Sequence, residues 1–187
     1  MPKKICIVGG VAGGAGTAAR LRRLDETADI IIFERGEYIS YANCGLPYHV
    51  GGIIEDRARL LLNSPASMKE RFNVDVRVRH EATAIDRETK TIRVLNRESG
   101  ESYDESYDIL VLSTGSRPLA PPIPGIDGER IYTLWTIPDT DRIIAAIESV
   151  QAKTAAVIGG GFIGLEMAEN LPLVRSEERR VGKECRS

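Results

Sequence analysis

The stretch ICIVGGVAGG, residues 5–14, decides the fold of this chain of 187 residues. Its first four residues form a continuous apolar run, which is typical of a parallel strand buried on both faces. Glycines then predict a tight turn, and residues 15–24 have the apolar spacing of a helix with Ala18, Leu21 and Leu24 on its inner side. A second apolar strand, residues 30–33, ends at Glu34. This βαβ unit predicts an α/β fold class.

A second glycine turn follows about 150 residues later. Residues 155–158 form another apolar strand, and the complete pattern G-x-G-x-x-G comes next at Gly159, Gly161 and Gly164, followed by a helix through Leu171. In this pattern a tight turn brings the backbone close to a pyrophosphate at a helix N-terminus. A purely structural turn is the alternative, but the strand and helix on either side favour nucleotide binding.

The first glycine turn is less regular than the second. Val11 stands where the second glycine of the pattern belongs. Glu34, however, follows Gly14 by twenty positions and ends the second strand, where an acid can accept the hydroxyl groups of a ribose. A solvated charge at the strand end is the alternative, and we expect a cofactor contact.

The segments between the two turns predict a mixed region and a linker. Ser64 and Pro65 predict the start of a helix that runs to about Phe72. Residues 74–78 and 91–95 alternate in the strand period, residues 96–104 predict a hairpin turn, and residues 107–112 predict a buried strand. Four prolines between Pro118 and Gly125 predict a linker, and residues 138–150 predict a helix.

Composition excludes several function classes. The chain is 42% hydrophobic and 28% charged, which is ordinary globular composition, and its formal net charge of −2 gives no case for nucleic acid. No apolar run is long enough for a membrane span, and no signal peptide precedes the first strand, so the expected location is cytoplasmic.

The final segment, residues 175–187 (RSEERRVGKECRS), is predicted to be an artefactual tail. It has no apolar periodicity, and its codons can be written so that they resemble a common sequencing adapter read in frame. The natural sequence would then stop near Val174, and the chain would be a fragment. A solvated charged tail is the alternative.

The cysteines predict one reactive thiol. Cys185 belongs to the predicted tail, and the distance between Cys6 and Cys44 argues against a disulfide framework or a metal site. Cys6 lies within an apolar strand, where we expect a buried and inert thiol. Cys44 lies in the polar stretch SYANCGLPY, residues 40–48, beside a glycine, and this setting favours a reactive thiol over a buried inert one.

Four blocks of residues 1–174 carry a resemblance to a known family. They are GGVAGGAGTAARLRRL, FERGEYISYANCGLPY, YDILVLSTGSRP and VIGGGFIGLEMAENL. In this order they resemble the pyridine nucleotide-disulfide oxidoreductases that use FAD and NAD(P)H, and within them the single-cysteine branch that includes coenzyme A disulfide reductase. The resemblance implies a Rossmann-like FAD domain with a parallel sheet and a small antiparallel meander at residues 1–117. The beginning of a second Rossmann-like domain, for NADH or NADPH, is implied at residues 118–174.

The resemblance also implies site residues. Cys44 would be the catalytic residue, facing the flavin. Coenzyme A would be bound by Arg20, Arg23, Ser40 and Asn43, although a solvated basic face shared with Arg22 is an alternative for the two arginines. FAD would be held by Gly9, Gly10, Val11, Ala12, Gly13, Gly14, Glu34, Arg35, Thr114 and Gly115. NAD(P)H would be held by Gly159, Gly161, Gly164 and Glu166.

The implied activity is reduction of coenzyme A disulfide by a full-length homodimer. Electrons would pass from NAD(P)H through FAD to a mixed disulfide between Cys44 and coenzyme A. His49 stands where relatives with two cysteines have the second one, so the substrate would supply the second sulfur. We expect His49 and His80 to be structural or surface residues.

Other activities remain open at this stage. Related NADH peroxidases and oxidases carry a histidine where this chain has Ala12, which favours disulfide, persulfide or polysulfide substrates over oxygen chemistry. Phe72 stands where some coenzyme A disulfide reductases have a lysine for the substrate. The alternatives are a persulfide or polysulfide reductase, an NADH oxidase, and a flavin-binding redox sensor. The chain alone should be inactive, because the family's remaining nicotinamide domain, second flavin-binding segment and dimerisation domain would lie beyond it.

Overall fold

The computed structural model describes residues 2–150, 154–174 and 177–181. The chain forms two compact units, Met1–Tyr41 with Leu61–Ser116, and Ala42–Leu60 with Arg117–Ser187. The division into two cofactor domains stays a prediction. The helices and strands, in chain order, are β1 (Lys4–Val8), α1 (Ala12–Leu24), β2 (Asp29–Glu34), α2 (Leu46–Val50), α3 (Pro65–Phe72), β3 (Asp75–Val78), β4 (His80–Asp86), β5 (Thr91–Asn96), β6 (Ser102–Ser106), β7 (Ile109–Leu112), α4 (Ile137–Val150), β8 (Thr154–Ile158), α5 (Phe162–Asn170) and β9 (Glu177–Val181).

The first unit is built on a parallel sheet that is covered on both faces. Its strand order is β3-β2-β1-β7, and every neighbouring pair is parallel. Ile7 and Ile32 lie on the face that packs against Ala18 of α1 and Met68 of α3. Cys6 and other buried residues lie on the opposite face. Because both faces are covered, β1 and β2 are apolar at consecutive positions.

The opposite face is covered by an antiparallel meander with strand order β4-β5-β6. Ile92 and Val94 of β5 are fully buried in the cluster that contains Phe33 of β2. The guanidinium of Arg77 in β3 lies 5.4 Å from the centre of the Phe33 ring and 5.8 Å from that of the Tyr103 ring. One cation therefore contacts an aromatic ring of the sheet and one of the meander.

An ion-pair network also joins the parallel sheet to the meander. The carboxylate of Glu105 in β6 accepts from Arg77 at 2.6 Å and also from Lys4 in β1. Burial opposes the charge of Glu105, but the hydrogen bonds from Lys4 and Arg77 outweigh it and lower the pKa of this carboxyl. The network thus joins β1, β3 and β6.

The second unit packs three helices beside strand β8. Val50 of α2 is buried with Ile143 of α4 and with Met167 and Leu171 at the C-terminal end of α5. The bidentate pair of Arg57 with Asp141, at 2.8 and 2.7 Å, adds a second link to α4. The short helix α2 is therefore held by α4 and α5.

The structure confirms the predicted α/β class with a parallel sheet and a meander. Ser64 begins α3 as predicted, and its hydroxyl accepts the N–H of Ser67. The hairpin turn predicted at residues 96–104 is shorter, because β6 begins at Ser102. Leu24 was predicted to face inward but is 66% exposed, because it ends α1. The helix α1 also begins at Ala12, before the predicted start.

The predicted tail lies partly outside the described residues. Its described part, Glu177–Val181, is strand β9, which pairs in parallel with β8. The sequence did not predict this strand, because a strand with few apolar residues has no periodicity that marks it. That residues 175–187 are an artefactual tail stays a prediction.

Candidate functional site

The first glycine turn leaves no room for side chains at two positions. Gly9 has φ of 99°, and a Cβ there would lie 2.1 Å from the carbonyl oxygen of Ser113. A Cβ on Gly14 would lie 1.7 Å from the carbonyl oxygen of Gly9, because α1 packs directly on the turn. No side chain caps the N-terminus of α1. Its first amide groups are therefore open to an anion, as a pyrophosphate turn requires.

Glu34 ties this turn to the end of β2. Its Oε2 accepts the backbone N–H of Gly10 at 2.8 Å, and its Oε1 accepts the N–H of Gly36 at 2.8 Å. Each carboxylate oxygen has two lone pairs, so each can accept one further hydrogen bond. Glu34 can therefore accept ribose hydroxyl groups without releasing the turn.

An open cleft of about 110 Å³ lies at the carboxyl ends of these strands. It brings together four of the predicted FAD residues, Gly9, Glu34, Arg35 and Thr114. Gly115, with φ of 67°, follows Thr114 in the chain and is not among the lining residues. The rest of the turn does not line the cleft and comprises Gly10, Val11, Ala12, Gly13 and Gly14. Ligands of α/β proteins bind at this edge of a parallel sheet.

Five residues of the cleft wall were not predicted as site residues. His80, Glu81 and Ala82 come from the start of β4, and Val8 and Phe33 come from the ends of β1 and β2. His80 is held by a contact of 2.7 Å between Nδ1 and the Val78 carbonyl oxygen. Because Val78 ends β3 opposite Glu34, the residues that follow it meet the same edge of the sheet. Placing β3 beside β2 would have predicted this wall.

Cys44 lies in an exposed turn of the second unit. The turn Asn43–Gly45 is a single 3-10 turn that leads directly into α2, and the Cys44 thiol is free and exposed. Gly45 is closely packed there, because a Cβ would lie 2.9 Å from the side chain of Leu60. His49 contacts the Ile54 carbonyl oxygen through Nδ1 at 2.6 Å, which agrees with a structural role.

Cys6 is also free but, unlike Cys44, it is buried. It is fully buried in the sheet, and burial raises the pKa of its thiol to about 11. A thiol of this kind remains protonated near neutral pH and is inert. The prediction of a buried Cys6 is confirmed.

Ser40 and Asn43 both precede the cysteine closely in the sequence. Asn43 is exposed at the start of the turn. Ser40, in the first unit, has a left-handed backbone with φ of 44°, which is uncommon for a residue other than glycine. Its hydroxyl oxygen accepts from Nδ2 of Asn63 at 3.0 Å.

Arg20 and Arg23 lie exposed on α1, whereas Arg22 between them is held by hydrogen bonds. The Arg22 guanidinium donates to the carbonyl oxygens of Phe72 at 2.8 Å and of Asn73 at 3.0 Å, and so ties α1 to the end of α3. Neither Arg20 nor Arg23 has an ion pair within residues 2–150, 154–174 and 177–181. Their two charges remain available to an anionic ligand.

The second glycine turn repeats the geometry of the first. Gly159 has φ of 113°, and a Cβ on Gly164 would lie 2.2 Å from the Gly159 carbonyl oxygen. Gly161 precedes α5 without a side-chain cap, and a Cβ there would meet nothing within 4 Å. The predicted residue Glu166 lies one turn into α5 and is half-buried. The open surface above Gly161 suits a pyrophosphate.

Two features are absent from the described part of the chain. None of its helices is long and apolar enough to cross a membrane. Within the same residues no three metal-ligating side chains are grouped together.

Comparison with known proteins gives consistent matches. Residues 3–185 match the family described as pyridine nucleotide-disulphide oxidoreductase. Coenzyme A disulfide reductase of Staphylococcus haemolyticus is 43% identical over 169 residues, which are 90% of this chain and 38% of that protein. The chain thus spans about two fifths of the curated relatives that it matches.

Two solved structures are similar over nearly the whole chain. Reduced CoADR-RHD of Bacillus anthracis has a TM-score of 0.94 and 52% identity, and covers 96% of this chain and 32% of its own. An NAD-dependent persulfide reductase of A. fulgidus has a TM-score of 0.90 and 40% identity, over 95% of this chain and 33% of its own.

Proposed function

Because the chain belongs to the pyridine nucleotide-disulphide oxidoreductase family, we propose that the whole protein reduces coenzyme A disulfide with electrons from NAD(P)H. The observation that carries the proposal is the exposed thiol of Cys44, which has His49 where a second cysteine would be needed for an internal dithiol. The identity of 43% to a coenzyme A disulfide reductase supports the same substrate.

FAD and NAD(H) are the cofactors of this family, and the residues of both turns fit them. Gly9 and Gly14 provide the close backbone approach, and Glu34 retains acceptor capacity for ribose hydroxyls. When bound, FAD accepts two electrons from NAD(P)H and passes them to a disulfide. In our proposal Arg35, Thr114 and Gly115 complete the FAD site, and the turn from Gly159 to Gly164 with Glu166 binds the nicotinamide nucleotide.

Cys44 performs the sulfur chemistry. Its thiolate attacks one sulfur of coenzyme A disulfide, so a Cys44–coenzyme A disulfide forms, the substrate S–S bond breaks, and one coenzyme A thiolate leaves and takes a proton. Two electrons then reduce the mixed disulfide, which frees the Cys44 thiolate and a second coenzyme A thiol. The balance is CoA–S–S–CoA + NAD(P)H + H⁺ → 2 CoA–SH + NAD(P)⁺.

The substrate would be held by residues that precede the cysteine in the sequence. Arg20 and Arg23 would meet phosphate groups, since exposed guanidinium groups bind phosphate in bidentate fashion. Ser40 and Asn43 would contact the part of coenzyme A nearest the sulfur. We also propose that the full-length protein is a cytoplasmic homodimer, as the family resemblance implies.

A persulfide or polysulfide substrate is the second candidate. The similarity to the persulfide reductase of A. fulgidus favours it, and so does Phe72, which stands in place of a substrate lysine. Ala12 makes an NADH oxidase the weaker alternative. A flavin-binding sensor would use Cys44 without steady-state turnover.

The decisive experiment follows NAD(P)H oxidation by the purified full-length protein with coenzyme A disulfide, polysulfide or oxygen as acceptor. We expect the highest kcat/KM with coenzyme A disulfide, its loss in Cys44→Ser, and its retention in the matched variant Cys6→Ser. A preference for polysulfide or oxygen would contradict the substrate assignment. Continued turnover in Cys44→Ser would contradict the mechanism, and a single oxidation without further turnover would favour the sensor.

A further inference from the structure

We propose that Asn63 is a positioning residue that holds the Ser40 hydroxyl as a hydrogen-bond donor toward an acceptor oxygen of the substrate. This inference rests on the proposed function, because it is the proposed function that makes Ser40 a substrate-binding residue. Asn63 belongs to no pattern that the sequence analysis singled out, and it lies directly before the cap of α3.

The backbone of Ser40 is strained and firmly held. Its left-handed φ of 44° is kept by three backbone hydrogen bonds. The Ser40 N–H donates to the Gly10 carbonyl oxygen at 3.0 Å, and the Ser40 carbonyl accepts from Leu62 at 3.0 Å and from Asn63 at 3.3 Å. Strain of this kind persists where the surroundings over-determine it, and it is concentrated at functional sites.

The side chain of Asn63 decides the direction of the Ser40 hydroxyl. Asn63 Nδ2 donates to Ser40 Oγ at 3.0 Å, which occupies a lone pair of that oxygen. A hydroxyl has one hydrogen to donate. Among the described residues no acceptor takes this hydrogen, so Ser40 is prepared to donate it to a ligand.

The ligand atom that accepts it is expected in the pantetheine arm of coenzyme A. Ser40 precedes Cys44 by four positions, and four extended residues span at most about 14 Å. The arm next to the reacting sulfur carries amide carbonyl oxygens, whereas the phosphates lie at its far end. Pantethine is the disulfide of that arm without phosphates. Its binding therefore distinguishes an amide carbonyl oxygen from a phosphate oxygen as the acceptor.

One substitution reverses the donor without removing the side chain. In Asn63→Asp, a carboxylate oxygen accepts the Ser40 hydroxyl hydrogen and withdraws it from the ligand. The other oxygen still accepts from Ser67 Oγ, which lies 3.4 Å from Asn63 Oδ1. Asn73→Asp is the matched control, because it adds the same charge at the other end of α3 and keeps an acceptor for Lys69.

The test measures binding of coenzyme A and of pantethine to the FAD-loaded full-length protein by calorimetry. Cys44→Ser is used as background, so that no turnover occurs. We expect Asn63→Asp to weaken both ligands about three- to tenfold, the effect of one hydrogen bond. Ser40→Ala should lower the affinity for both ligands by the same factor. The double variant Asn63→Asp with Ser40→Ala should lower it no further. With Cys44 present, KM should rise while kcat changes little.

Several results would overturn the proposal. These are unchanged affinity in Asn63→Asp, an equal loss in Asn73→Asp, additive effects in the double variant, and absence of binding by both ligands. An effect on coenzyme A but not on pantethine would overturn the assignment to the amide carbonyl. If Asn63→Asp fails to bind FAD, Asn63→Ala is used in its place. We expect Asn63→Ala to lose as much ligand affinity as Ser40→Ala. Binding without any turnover would contradict the proposed function alone.

Discussion

Glu34 Oε2 accepts the backbone N–H of Gly10 at 2.8 Å, so the acid at the end of β2 holds the glycine turn that leaves β1. Its other oxygen accepts from Gly36. The side chain proposed to bind the ribose is therefore also a structural part of the turn.

Replacing Glu34→Gln should weaken both functions of this side chain. An amide has one acceptor oxygen and no charge, so one of the two backbone donors loses its partner. We expect a loss of about 1–3 kcal/mol in the free energy of unfolding and a lower FAD content after gel filtration, measured by absorbance. Glu37→Gln is the control, since the exposed Glu37 pairs with Arg79 away from the glycine turn. Equal FAD content in both variants would contradict the prediction.

Two glycines of α1 should respond oppositely to alanine. A Cβ at Gly14 would overlap the Gly9 carbonyl oxygen, so Gly14→Ala should prevent the turn from forming. A Cβ at Gly16 meets nothing within 4 Å, so Gly16→Ala should stabilise the helix by about 0.5–1 kcal/mol. Thermal unfolding of the two variants checks this, and similar melting temperatures would refute it.

The two described cysteines should differ in reactivity. Iodoacetamide at pH 8 should label Cys44, whose thiol is exposed, and leave Cys6 unlabelled, because burial raises the pKa of the Cys6 thiol to about 11. Peptide mapping by mass spectrometry distinguishes both from Cys185. In urea all three should be labelled, and labelling of Cys6 in the folded chain would contradict its position in the sheet.

Acid should weaken the junction between the sheet and the meander. The pKa of Glu105 is lowered in the folded state, so its contribution to stability is present above its ordinary value of 4.5 and is lost as the pH falls through the folded value. Urea unfolding between pH 7 and pH 3 should show a smaller loss of stability in Glu105→Gln than in the unsubstituted chain. The exposed Glu101→Gln should follow the unsubstituted chain, and parallel curves for all three would rule out this role.

Strands β1, β2, β7 and β8 and both glycine turns could be predicted because consecutive apolar residues and glycine spacing depend on local sequence. Strand β6 could not, since its alternation of polar and half-buried residues carries little apolar signal. The cleft wall at His80 was missed for another reason. It depends on the pairing of β3 with β2, a contact between segments more than forty residues apart. Asn63 was missed likewise, because its role is visible only beside Ser40.

Arg77 and its strand β3 make part of the cleft lining rigid. Its guanidinium packs against Phe33, which lines the cleft, and Val78 at the end of the same strand anchors His80, which also lines it. These two lining residues are thus fixed by contacts that form during folding. Because these side chains are already ordered in the folded chain, a ligand that binds the cleft loses little further conformational entropy there. We therefore expect association as docking to a rigid surface, with little slow rearrangement.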